Sequence, residues 1–224
     1  MQPEPPANDP ATGGGVTDSG RPSRAGGPSE ASLTTSKEGI NQLPLGGFDG
    51  AVHVTPPLGA AEALAHLHDA RVVGLDTESR PSFRRGEHHP ISLIQLATAD
   101  VAVLVRLRRD ASSLPPELVS LMEREDLTKV AQGPRDELAE LRERFGLQCR
   151  NVVDLVPLAK KAGCRPLSLR ALVAIFLGVR IPKGAQTSNW ESPRLDARQI
   201  RYAATDAWAC HAVFSAMRRR GLTH

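Results

Sequence analysis

Aromatic side chains are scarce in this 224-residue chain, where Phe, Trp and Tyr together make up 4%. That scarcity argues against an extended platform on which successive nucleic-acid bases stack. Cysteine is nearly absent as well. Cys149, Cys164 and Cys210 lie far apart and form no C-x-x-C pair, which argues against a disulfide framework or a structural zinc and points to free thiols in a reducing compartment. The histidines are scattered, and His66 and His68 fall two apart in an expected helix, where they point to different sides and make a poor metal pair. No apolar run is long enough for a membrane span, and the N-terminus has no secretory-signal pattern. The expectation is a soluble, cytoplasmic protein without a membrane partner.

What is present is distributed unevenly. The formal charge is +3, but residues 1–45 carry a net −2, which leaves +5 on the remainder. Basic groups recur at Arg84-Arg85, Arg106, Arg108-Arg109, Lys160-Lys161 and Arg218–Arg220, a mild indication of a polyanionic partner. Residues 1–45 are rich in Pro, Gly, Ser and Thr and poor in large apolar side chains. Such a segment buries too little surface to offset its ordering entropy, so it reads as a disordered tail, with a folded domain over 46–224.

Within that domain, Ala51–Thr55 reads as a strand and Leu58–Ala70 as a helix. Strands are expected over Arg71–Thr77, Pro90–Ala97 and Val101–Val105, the last two joined by a tight turn at Thr98-Ala99-Asp100. A helix follows Pro115-Pro116 through about Arg124, then a strand at Thr128–Ala131. Beyond Pro134 the pattern is mainly helical: Arg135–Phe145, Asp154–Ala162, Ser168–Leu177 and Asp196–Arg219, with Gly146, Gly163 and Gly178 where C-terminal caps fall. Early strands with short links followed by a strand among helices give an α/β fold, a mixed sheet flanked by helices.

Three acidic clusters stand out on these elements. Asp76 and Glu78, two apart at the end of an apolar strand, share one face. Asp136 and Glu137 open a helix. Tyr202 and Asp206, four apart, share one face of the last helix. Carboxylates converging from a strand and two helices suit divalent cations, because bound charge relieves their mutual repulsion. Each cluster alone is weak: D-x-E pairs are common on solvated surfaces, and Tyr202 could be a half-buried aromatic beside a surface acid.

Taken in order, the segments resemble the 3′–5′ exonuclease superfamily with four acidic ligands and a tyrosine in the third motif (the DEDDy group), in its Werner-exonuclease-like and ribonuclease D-like branches. The first motif is Gly74-Leu75-Asp76-Thr77-Glu78-Ser79-Arg80-Pro81-Ser82-Phe83, followed by Ile91-Ser92-Leu93-Ile94-Gln95-Leu96-Ala97. The third is Gln199-Ile200-Arg201-Tyr202-Ala203-Ala204-Thr205-Asp206-Ala207. Asn151-Val152-Val153-Asp154-Leu155, Leu167-Ser168-Leu169 and Ser188-Asn189-Trp190 lie between them. The resemblance covers about residues 50–218.

It implies an RNase H-like fold and hydrolysis of DNA or RNA phosphodiesters from a 3′ end, on single strands, with two Mg²⁺ or Mn²⁺ ions as cofactors. On that resemblance Asp76, Glu78 and Asp206 bind the ions, Asp76 between them, and Tyr202 orients the attacking water. The second motif departs from the pattern, which calls for an aspartate where Glu137 falls, with Asp136 one place early. Glu137 is favoured as the working ligand; the alternatives are Asp136, one residue and about 100° round the helix, or no ligand at all. Thr77, Asn189 and Trp190 are candidate substrate contacts, Trp190 as a stacking residue or as core. Arg80, Arg84, Arg85 and Lys183 are candidates for phosphates. The rival functional class is a module that retains the fold, binds nucleic acid or protein, and has lost efficient catalysis through its altered second motif. An endonuclease on the same fold is a third possibility.

Overall fold

The computed structural model describes Met1, residues 33–84 and residues 86–223. By its internal contacts the chain divides into two units, Met1–Ala31 and Ser32–His224. Most of the expected tail therefore lies outside the described residues. Its expected boundary near residue 45 is corrected, however, because helix α1 (Lys37–Gln42) forms inside it. Ser36 caps that helix by accepting a hydrogen bond from Gly39 N at 3.0 Å, and Ile40 is buried against Ala171 and Ala174. Leu43 packs beside it, and main-chain bonds to Arg165 and Arg180 hold the two ends of the segment, features that composition averaged over 45 residues does not register.

The second unit is built on one six-stranded sheet. Its strands are β1 (Ala51–Thr55), β2 (Val72–Ser79), β3 (Ile91–Ala97), β4 (Val101–Arg106), β5 (Thr128–Ala131) and β6 (Val152–Asp154), arranged in the order β1-β4-β3-β2-β5-β6. The β2-β3-β4 meander is antiparallel, and β1, β5 and β6 join it in parallel pairings, so the sheet is mixed as expected. β3 lies in the middle with every residue buried, which explains its unbroken Ile-Ser-Leu-Ile-Gln-Leu-Ala run: helices cover both faces.

One face packs on α2 (Ala60–Ala65), α3 (Pro116–Glu123) and α4 (Arg135–Phe145). Val73, Leu75, Ile94, Leu96, Val103 and Val105 join Leu64, Leu118, Met122 and Leu141 there in one apolar core. The other face carries α7 (Ala197–Arg219), with α5 (Leu155–Lys161) and α6 (Leu169–Leu177) beside it. Apart from α1, the elements follow the sequence pattern closely, with two differences. The expected helix over Leu58–Ala70 is a 3₁₀ turn at Pro57–Gly59, a short α2 and a tail of i to i−3 bonds from His66 N to Ala63 O through Ala70 N to Leu67 O. β6 is only three residues long, too short for a period to show.

α7 lies close on the sheet because both surfaces are made of small residues. Ala204 and Ala207 of the helix meet Ala97 and Ala102 of the strands. At Gly74 of β2 the approach is closest: a Cβ there would stand 1.8 Å from Ala207 O and 2.8 Å from His211 N. The start of α7 is fixed by a capping box, Gln199 N donating to Asp196 Oδ1 at 2.7 Å and Asp196 N to Gln199 Oε1 at 3.0 Å.

Candidate active site

The C-terminal end of β2 is where the candidate residues meet, and the topology shows why. β5 runs parallel to β2 with Gly74 level with Val130, so the chain leaving β5 turns at Gln132-Gly133 beside Asp76 and enters α4 through Pro134. Gly133 adopts φ +64°, the left-handed region, and its N–H donates to Asp154 Oδ1 at 2.8 Å. The same oxygen caps α5 through Val156 N at 2.8 Å. On the other flank the β2–β3 register slips between Glu78 and Ser79, a bulge that ends regular pairing at the site.

Asp76 and Glu78 of β2 and Asp206 of α7 each offer a carboxylate oxygen, and these oxygens lie within 4.8 Å of one another. Glu78 and Asp206 are only 8% and 9% exposed. They border a cleft of about 790 Å³ that is also lined by Thr77, Glu137, Tyr202, Gln132 and Cys210. A second, smaller hollow of about 390 Å³ adjoins it, sharing Thr77, Glu78 and Glu137 and reaching Arg80 and His89.

The electrostatics follow from crowding like charges in a poorly hydrated place. Burial pushes the Asp76 carboxyl up to about 8, the nearby charge of Asp206 adds to this, the Thr77 N–H opposes it, and Glu137 contributes a further rise. Burial, then Asp76 and Asp206, push Glu78 up to about 9. Burial raises Asp206 to about 6, while the hydrogen bond donated by Tyr202 pulls it back. Burial first, then the charge and hydrogen bond of Asp206, hold the Tyr202 phenol well above its ordinary range, so at neutral pH it is a hydrogen-bonding hydroxyl. Tyr202 is the chain's single tyrosine.

Such a cluster fits a hard divalent cation. Its donors are all oxygens, and among the described residues none of the three is in an ion pair. One consequence is measurable. Groups whose acid pKa is raised on folding bind more protons folded than unfolded, so stability falls as pH rises between the unfolded and folded values. The metal-free protein is expected to lose thermal stability steadily from about pH 4 to about pH 9, and Mg²⁺ or Mn²⁺ is expected to restore it most at the alkaline end. Melting curves in chelator and in cation across that range check this, and a flat metal-free profile would contradict it.

Glu137 lines the cleft with Asp76 and also the adjoining hollow, while Asp136 lines the hollow alone. Both are exposed residues, and the Asp136 side chain, 83% exposed, is paired with Arg135 Nε at 3.0 Å. Of the expected substrate contacts, Thr77 lines the cleft, but Asn189 and Trp190 do not. Trp190 as a stacking residue is corrected: it is 1% exposed, enclosed by Leu93, Leu104, Ala185 and Ala203. Asn189 is spent on the turn before α7, its Oδ1 accepting from Glu191 N at 3.1 Å and its carbonyl from Gln199 Nε2 at 3.2 Å. Gln186 and Thr187, just upstream, line the cleft instead, as do Lys183 and Arg170. Among the other phosphate candidates, Arg80 faces Glu191 at 3.8 Å, Arg84 is exposed, and Arg85 lies outside the described residues.

Gln132 had no sequence signal. It bridges two segments, Nε2 donating to Leu167 O at 2.7 Å and Oε1 accepting from Leu169 N at 3.0 Å, and so forms part of the cleft wall.

A mixed sheet with a buried carboxylate cluster at a strand end and a tyrosine on the facing helix defines the class as an RNase H-like exonuclease fold. The comparisons agree. Residues 52–221 match the 3′–5′ exonuclease domain family, and the chain belongs to that family. Exonuclease 3′-5′ domain-containing protein 2 of Mus musculus is 33% identical over 158 residues, 66% of this chain and 24% of that protein. The Mus musculus bifunctional 3′-5′ exonuclease/ATP-dependent helicase WRN is 29% identical over 161 residues, 70% of this chain and 12% of that protein. The matched part of this chain thus spans about a quarter or less of these relatives. Among solved structures, the Aedes aegypti Nibbler EXO domain shares the fold with a TM-score of 0.67 at 23% identity, over 77% of this chain and 90% of that one.

Proposed function

We propose that this chain is a metal-dependent 3′–5′ exonuclease that hydrolyses phosphodiester bonds of DNA or RNA at single-stranded 3′ ends. The carrying observation is the convergence of Asp76, Glu78 and Asp206 within 4.8 Å in a cleft that also holds Tyr202 and Glu137. In this reading Asp76, Glu78 and Asp206, with Glu137 lining the same cleft, would hold two Mg²⁺ or Mn²⁺ ions. When bound, such ions stabilise the charge on the attacking and departing oxygens of an in-line displacement.

The side chains do the positioning. Tyr202 donates to Asp206 and so fixes that carboxylate's orientation. Its hydroxyl oxygen remains available to accept a hydrogen bond from the attacking water. With its proton held tightly, Tyr202 orients rather than abstracts. Thr77 orients Asp76 through its backbone N–H. The free thiols Cys149, Cys164 and Cys210 fit action in the reducing cytoplasm.

Incubation with 5′-labelled single-stranded DNA and RNA in Mg²⁺, Mn²⁺ or chelator tests this. The expected result is a cation-dependent ladder shortening from the 3′ end. Internal cuts would indicate an endonuclease, and binding without any cleavage by folded protein would favour the binding module. The two acids of the second motif give a sharper comparison. Glu137→Gln is expected to lower kcat on the order of ten- to a hundredfold. Asp136→Asn, at an exposed position, is expected to stay within about twofold. Equal effects of the two substitutions would remove Glu137 from the site.

A further inference from the structure

Lys37 and Ile40 stand on α1, upstream of residue 52 where the family match begins, yet both line the same cleft as the carboxylates. The segment that carries them is fastened at both ends. Thr35 N donates to Arg165 O and Arg165 N to Leu33 O, each at 3.0 Å, and Arg180 N donates to Pro44 O and Gly46 N to Arg180 O, each at 2.9 Å. Between these bridges Arg170 Nη2 donates to Asn41 Oδ1 at 2.7 Å, and Ile40 is inserted against α6. Residues 33–46 therefore form a strap that walls the cleft, fixed by main-chain bonds.

The wall has a charge the floor lacks. Lys37 is exposed, Arg170 and Lys183 line the cleft with it, and among the described residues neither lysine is in an ion pair. A polyanionic strand entering over buried carboxylates meets repulsion, and cations beside the path offset it by neutralising phosphates away from the reacting one. We propose that the strap is a substrate-binding element and that Lys37 binds a backbone phosphate of the single strand on the 5′ side of the scissile bond. This rests on the exonuclease reading for its ligand class.

The test is binding of a 5′-fluorescein single-stranded oligonucleotide to the full chain in chelator, by anisotropy over a salt series, for wild type, Lys37→Glu, Lys37→Arg and Lys160→Glu. Lys160 is an exposed lysine of α5 that does not line the cleft, so it controls for net charge. Lys37→Glu is expected to raise Kd roughly tenfold at low salt and to reduce the slope of log K against log salt by about 0.7, the value for one single-strand phosphate contact. Lys37→Arg is expected to bind like wild type, and Lys160→Glu to change little. A Lys37→Glu protein indistinguishable from Lys160→Glu would overturn the role of the strap, as would wild type that binds no oligonucleotide. Parallel cleavage assays in Mg²⁺ separate the two ideas. Lys37-dependent binding without cleavage would sink the exonuclease and leave the strap standing. Cleavage with an unchanged KM in Lys37→Glu would do the reverse.

Discussion

Asp76→Asn is expected to abolish exonuclease activity, by on the order of a thousandfold or more, while raising the stability of the metal-free protein. The two effects have one cause. Asp76 feels the charges of Asp206 and Glu137 and itself raises Glu78. Without a cation, removing its charge relieves Glu78 and removes a buried carboxylate that burial itself disfavours, so the neutral amide melts higher at alkaline pH. With a cation, the same substitution removes a ligand that the remaining carboxylates cannot replace, since Glu78 and Asp206 are fixed by a strand and a helix. The cation-induced rise in melting temperature seen in wild type is therefore expected to shrink sharply in the variant. Melting curves with and without Mn²⁺, alongside the cleavage assay, read both effects. A variant that loses activity and also loses metal-free stability would show that Asp76 acts as a structural hydrogen-bonding group, and the charge-cluster account would fail.

Gly74→Ala is expected to destabilise the fold by about 3 kcal/mol or more and to remove most activity with it. The added methyl would stand 1.8 Å from Ala207 O and 2.9 Å from Ala207 C, both main-chain atoms of α7 that no rotamer change can move aside. The helix would have to lift from the sheet, losing the close contact of Ala204 and Ala207 with Ala97 and Ala102. Because Tyr202 and Asp206 ride on that helix, the lift separates them from Asp76 and Glu78, and displacements near 1 Å already weaken catalysis severely. Denaturant midpoints and residual activity in the folded fraction measure the two losses. An unchanged midpoint would mean that the two layers can separate cheaply, contrary to their packing.

Much of this was legible in the chain. Apolar runs, helical periods and Pro and Gly breaks placed β2 to β5 and α3 to α7 within a residue or two, because these signals are local to each element. The same rule put Asp76 with Glu78 and Tyr202 with Asp206, and the motif order carried the family.

Spacing could not choose between Asp136 and Glu137. One residue changes the direction by about 100°, but which direction meets the cleft depends on the angle at which α4 leaves β5. For Trp190 core filling is the favoured reading of the sequence and base stacking the alternative, and the packing shows it enclosed. Composition set residues 33–45 aside as tail, although Ile40 has a socket on α6 that no local pattern announces. The role of Gly74 was equally hidden, because the backbone it must clear belongs to a helix more than a hundred residues downstream. The amino-acid sequence by itself determined the elements, the facing of each acidic pair and the family, all of them local or ordered along the chain. The tertiary structure alone placed Glu137 in the larger cleft and Asp136 in the adjoining hollow, enclosed Trp190, and set the upstream strap as a wall of the site, because those depend on distances between elements that only packing sets.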